Sequence, residues 1–121
     1  MADETRLSEQ PVVGVERRDG MVIVRLAGEL DLYNAPSVRQ TLLDLCAEQP
    51  QRLVVDLQRL AFIDSAGLGV LIEARTSLQN RRSFMLAAPT PDTRRALQIS
   101  GLDRHLIVHE TVSAAVSADV V

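Results

Sequence analysis

The chain has 121 residues, enough for one compact core and too few for two ordinary domains, and its 46% apolar content fits a soluble globular fold. With no Trp, two Phe and one Tyr, the core has to be aliphatic, and stacking platforms for bases are lacking. A net charge of −3 leaves no basic footprint for a phosphate backbone, which argues against nucleic acid as a partner.

No apolar run approaches the roughly 20 residues of a membrane span. The start "MADETRLSEQP" is polar and acidic, unlike a secretory signal, and residues 1–10 are expected to be flexible. "PVVGVERRDGMVIVRLAG" reads as two strands around a turn at Asp19-Gly20, a dipeptide suited to positive φ. In the second strand Val22, Val24 and Leu26 form an apolar face, with Ile23, Arg25 and Ala27 on the other. "GELDLYNAPS" reads as a loop, and Pro36 belongs to the first helical turn, where its missing N–H costs nothing. Val38, Leu42, Leu45 and Cys46 then follow at helical spacing. Cys46 is the only cysteine, so it forms no internal disulfide; a small core residue in a reduced cytoplasm is expected.

"RLVVDL" is a short, nearly continuous apolar strand of the buried kind, with Asp56 expected at its end. After Asp64 a helix carries Leu68, Leu71, Ile72 and Leu78 on one face and ends around "QNRR". "SFMLAA" is the next strand. "TPDTRRALQISG" has Thr90 as cap, Pro91 at the first helical position and Gly101 as the C-terminal glycine. "HLIV" is a last strand and "ETVSAAVSA" a last helix. The order β-β-α-β-α-β-α-β-α predicts one α/β domain over residues 11–117, followed by a tail at 118–121. Its mixed, mostly parallel sheet of four to five strands is joined by right-handed crossovers.

The stretch "LAFIDSAGLGVLIEA" carries the chemistry. Asp64 is placed to cap the helix that starts at Ser65, and the Ser65 hydroxyl falls at the end of the sheet where α/β folds place their sites. Free N–H groups and the helix dipole favour an anion there. Gly67 and Gly69 each cost about 0.8–1 kcal/mol relative to Ala inside a helix, which points to a close approach to the backbone. Ser and Asp are also common caps, and glycines serve helix–sheet packing, so spacing alone leaves both explanations standing.

Three chemical readings compete for these residues. A serine-hydrolase elbow would need Gly where Ile63 stands, although Ser65, Asp103 and His105 follow a triad order; the chain is too short for that fold and its pocket. A nucleotide phosphate loop needs Gly-Lys-Ser/Thr, and all 13 basic residues here are Arg. A receiver-type phosphoacceptor at Asp56 lacks both the acidic pair and the lysine. What survives is a serine that is acted on. A phosphate adds about −1.5 to −2 charges beside Asp64, and near Glu29 and Asp31 if their loop shares this end of the sheet.

"LAGELD", "VVDLQRLAFIDSAGLGVL" and "ALQISGLDRHLIVHET", in that order, resemble the STAS domain of bacterial anti-sigma factor antagonists over roughly residues 11–117. The resemblance implies a small α/β domain that is not an enzyme and binds no cofactor or metal. Its partner would be an anti-sigma serine kinase, which brings its own ATP; binding releases a sigma factor. Phosphorylation of the serine after the motif's aspartate, Ser65 by position, switches binding off, and a phosphatase restores it. The implied partner surface is Glu29, Asp31, Asp64, Ser65, Ala66, Gly67, Leu68 and Gly69. Ala66 departs from the second hydroxyl residue that many antagonists carry, which leaves one side chain to modify. A STAS regulatory subunit of a transporter or lipid-export complex is the alternative. The intact serine block and the lone domain favour the antagonist. Arg81-Arg82 and Arg94-Arg95 read as solvated surface, and His105 and His109 are too isolated to argue for a metal.

Overall fold

The computed structural model describes residues 10–120, so residues 1–9 of the expected flexible stretch and residue 121 of the expected tail lie outside the described residues. The elements are β1 (Val12–Arg18), β2 (Met21–Leu30), α1 (Ala35–Ala47), β3 (Arg52–Ile63), α2 (Ser65–Ser77), β4 (Phe84–Ala87), α3 (Pro91–Ser100), β5 (Ile107–His109) and α4 (Val112–Ser117). Short 3-10 turns occupy Arg81–Ser83 and Leu102–Arg104. The strands stand side by side in chain order. β1 is antiparallel to β2, and β2 through β5 are parallel. The predicted order and sheet type are those observed.

The hairpin turn is made by Asp19 (φ 53) and Gly20 (φ 76), the positive pair that suits the twist of two antiparallel strands. Each crossover after it moves one strand in the same direction, and right-handed crossovers then put α1, α2 and α3 on one face. That face holds the main core. Val22, Val24, Leu26, Leu53, Val55, Leu86 and the fully buried Phe84 meet Val38, Leu42, Cys46, Leu71 and Leu97 there. The Cys46 thiol lies 3.4 Å from the Ala74 carbonyl oxygen, and burial pushes its pKa up, so it behaves as the small core residue expected.

The opposite face carries a smaller cluster of Ile23, Val54, Met85 and Ala87, covered by Ala115 of α4. Arg52 fixes α4 in place: its guanidinium donates to the Ala115 carbonyl at 2.9 Å and to those of Val116 and Ala118. A cation thereby meets the carbonyl end of a helix of only six residues.

β2 and β3 run further than the sequence suggests. Glu29 and Leu30, read as loop, are still strand, and β3 continues from Arg52 to Ile63. The extension needs two irregularities in pairing. Between the pairs Arg25–Asp56 and Ala27–Arg59, β3 carries one residue more than β2; it does so again between Gly28–Leu60 and Glu29–Phe62. Asp56 therefore does not end the strand. It sits at the first irregularity, where its Oδ1 accepts the Gln58 N–H at 2.9 Å. Bulges break the period-2 pattern, so the alternation that marks a strand is lost where β3 continues.

At the other boundaries, α2 stops at Ser77, with Leu78 buried at its C-cap. Gly101 (φ 79) ends α3 in the left-handed conformation predicted for it. His105 caps the second 3-10 turn ahead of β5, outside the strand in which it was expected.

Candidate functional site

Asp64 is the hinge of this end of the sheet. Its backbone is extended, with φ −107 and ψ −173, and its Oδ1 accepts the Gly67 N–H at 3.1 Å, as a helix N-cap should. Its Oδ2 accepts the Leu32 N–H at 3.1 Å. A single carboxylate thus ties the start of α2 to the loop between β2 and α1. That loop does share the end of the sheet with Ser65.

The loop is built on its own polar side chains. Asp31 Oδ1 accepts the N–H groups of Tyr33 at 3.0 Å and Asn34 at 3.2 Å. Asn34 returns the arrangement, its Oδ1 accepting the Asp31 N–H at 2.9 Å and its Nδ2 donating to the Glu29 carbonyl at 2.8 Å. Asn34 is engaged in the loop, so it gives α1 no side-chain cap. Asp31 and Asp64 are therefore structural acceptors first, half-buried and held by backbone donors, whereas Glu29 is exposed at the end of β2.

Ser65 is exposed at the first position of α2, and among the described residues no side-chain hydrogen bond of this corner uses its hydroxyl. Asp64 satisfies the Gly67 N–H, while the N–H groups of Ser65 and Ala66 at the helix start still face solvent or a ligand. Ala66 and Leu68 are half-buried and pack against the main core.

The two glycines separate. A Cβ on Gly67 would lie 2.7 Å from both Ile63 Cγ1 and Leu30 Cγ and 2.9 Å from the Leu30 carbonyl oxygen. The chain's own β2 and β3 supply the close approach that the sequence predicts there. A Cβ on Gly69 would meet nothing within 4 Å, so the fold gives no reason for that glycine.

Topology removes the hydrolase arrangement. α3 starts beside the far end of β3, where Thr90 and Thr93 hydroxyls donate to the Leu60 carbonyl, and runs back along the sheet. Asp103 and His105 follow it at the start of β5, the opposite end from Ser65. Among the described residues no group of three or more His, Cys, Asp or Glu is placed to hold a metal ion, and no described helix is long and apolar enough to cross a membrane.

Sequence reasoning missed the largest feature of this corner. Leu32 is 67% exposed, Tyr33 92% and Phe62 47%, all at the Ser65 end of the sheet. The available signal was "DLYN", two large apolar residues between turn-forming Asp31 and Asn34.

Known proteins share this fold. The family model of the STAS domain matches residues 13–115. The chain is 33% identical to the anti-sigma F factor antagonist of Paenibacillus polymyxa over 113 residues, 90% of this chain and 96% of that one. Among solved structures, an anti-sigma factor antagonist from Mycobacterium paratuberculosis superposes with a TM-score of 0.80 at 33% identity, covering 86% of this chain and 89% of the other. The antagonist SpoIIAA in its unphosphorylated form gives 0.71 at 25% identity over 85% and 91%, and the phosphorylated form from Bacillus gives 0.64 at 25% over 85% and 95%. With the family model spanning nearly the whole sheet and all three helices of the main core, the chain belongs to the STAS domain family, in which the Paenibacillus polymyxa relative and the Mycobacterium paratuberculosis structure are anti-sigma factor antagonists.

Proposed function

We propose that this chain is an anti-sigma factor antagonist whose unphosphorylated form binds an anti-sigma serine kinase and so releases a sigma factor, and that phosphorylation of Ser65 switches the binding off. The observation that carries this reading is the exposed Ser65 hydroxyl at the first position of α2, directly after a capping aspartate. A solved relative named for its phosphorylated form supports it. The chain is the substrate in this exchange and has no catalytic role. The serine oxygen attacks the γ-phosphorus of the kinase's ATP, the bond to ADP breaks, and the hydroxyl proton leaves to a base on the kinase. A phosphatase reverses the step by adding water across the phosphate ester.

The phosphate leaves the fold intact and changes the surface. Free N–H groups at the start of α2 and the helix dipole tolerate an anion, so the helix need not unwind. In the complex, however, about −1.5 to −2 new charges face the phosphates of the nucleotide just used. Like charges across an interface cost several kcal/mol, and each ~1.4 kcal/mol is tenfold in affinity, so a loss of about ten- to a thousandfold is expected.

The test is incubation of the purified protein with ATP and each anti-sigma-type kinase of its source organism, followed by intact mass and peptide mapping. One phosphate on Ser65 is expected, and Ser65→Ala should bind the kinase without being modified. Modification at another residue, or none with kinases shown to be active, refutes the switch.

A further inference from the structure

Only three residues of the chain are aromatic, and the fold spends them unevenly. Phe84 is fully buried, whereas Tyr33 and Phe62 stand 92% and 47% exposed at the Ser65 end of the sheet, with Leu32 beside Tyr33. Looseness of the loop does not account for this. Tyr33 N–H is held by Asp31, Leu32 N–H by Asp64, and Asn34 closes the loop onto Glu29. A rigid loop that keeps Leu and Tyr in water presents preorganised apolar surface, and exposed aromatics of this kind are the usual anchors of protein interfaces.

We propose that Leu32, Tyr33 and Phe62 are the apolar anchors that hold the kinase, and that affinity and switching therefore reside in different residues of one surface. The inference rests on the kinase reading of Ser65 and says where on the chain that partner is gripped. Ser65 has to enter a nucleotide site full of phosphate charge, so it contributes little attraction of its own. Attraction has to come from surface beside it. Exposed Glu29 pairs in register with Phe62, and none of the ion pairs among the described residues uses it. The complementary surface is thus an apolar pocket on the kinase with a basic edge facing Glu29, next to its nucleotide site.

Single-turnover phosphorylation by the kinase, with affinity measured separately in the presence of ADP, tests the division. Tyr33→Ala and Leu32→Ala should each weaken binding and raise the KM for this chain about tenfold or more, with kcat within about twofold of wild type. Tyr33→Phe should restore most of the affinity. Ile99→Ala is the internal control, because Ile99 is 79% exposed but sits in the last turn of α3, toward the other end of the sheet. All of these variants should melt with the wild type, since the side chains removed lie largely in water. If wild type is phosphorylated and Tyr33→Ala and Leu32→Ala bind as tightly as Ile99→Ala, the anchors are refuted and the switch stands. A fall in kcat at unchanged KM refutes them too, since it assigns the loop to positioning the serine. If no anti-sigma kinase binds the wild type, both readings fall together.

Discussion

At the hairpin end of the sheet, charged side chains satisfy one another: Arg17 donates to Glu48 twice, at 2.8 and 3.1 Å, beside an open hollow of about 400 Å³ between the Asp19-Gly20 turn and Gln49–Gln51. At the Ser65 end, carboxylates satisfy the backbone instead. Asp31 and Asp64 accept N–H groups from the loop and the helix start, and Leu32, Tyr33 and Phe62 are left in water. The hollow lies beside an ion pair that is already made, whereas the Ser65 end presents exposed apolar side chains on a hydrogen-bonded loop. Exposed apolar surface held in one arrangement suits recognition by another protein.

The largest effect that tests this contrast is at Ser65. Ser65→Asp places one negative charge where the phosphate would stand, and kinase binding should fall by about ten- to a hundredfold, somewhat less than for the phosphoserine itself. The melting temperature should hold, because a carboxylate in the first turn of a helix is favourable. Equal binding of Ser65→Asp and wild type, measured by titration calorimetry, would remove charge as the switching element.

The next effect divides the two glycines. Gly67→Ala gains about 1 kcal/mol of helix propensity and loses about 1–3 kcal/mol to crowding. One of the atoms met is the Leu30 backbone oxygen, which cannot rotate away. A net loss of up to about 2 kcal/mol is expected in urea unfolding. Gly69→Ala meets open space, so it should gain about 0.8–1 kcal/mol and raise Tm by roughly 3–6 °C. If a partner approaches the α2 backbone at Gly69, the same variant binds the kinase less well. A more stable protein with undiminished affinity would show that this glycine serves neither the fold nor the interface.

How far the sequence foretells this molecule depends on whether a residue obeys a period. The helix stripe Val38, Leu42, Leu45, Cys46 and the caps Asp64, Thr90 and Gly101 are where periodicity and capping chemistry put them. The last two residues of β2 and the far half of β3 were not legible, because two bulges break the alternation and Gly28-Glu29 has the composition of a turn. Asp56 looked terminal for the same reason, an acid in an apolar run being satisfied by a bulge that the sequence does not announce. At the site, Asp64 and Ser65 could be read locally. The bond from Leu32 N–H to Asp64 spans 32 positions, and no local pattern encodes it. Gly67 and Gly69 look alike in sequence, and only the neighbours brought by β2 and β3 tell them apart.

The smallest expected effect lies at the hairpin end and concerns pH. The Arg17 guanidinium holds the Glu48 carboxyl below its ordinary value, chiefly through the hydrogen bonds between them, with charge attraction adding less. A carboxyl whose folded pKa is depressed contributes stability that is present above its unfolded value, near 4.5, and is lost as pH falls through the folded value. Glu48→Gln should therefore unfold slightly more easily than wild type at pH 7, and the two should converge in acid. Both partners are open to solvent, so screening keeps the difference small and added salt should shrink it further. None of this should reach the kinase: Glu48→Gln ought to bind and be phosphorylated like wild type at every pH where both are folded. An affinity change in that variant would mean the partner also touches the hairpin end, and the division of labour between the two ends of the sheet would fail.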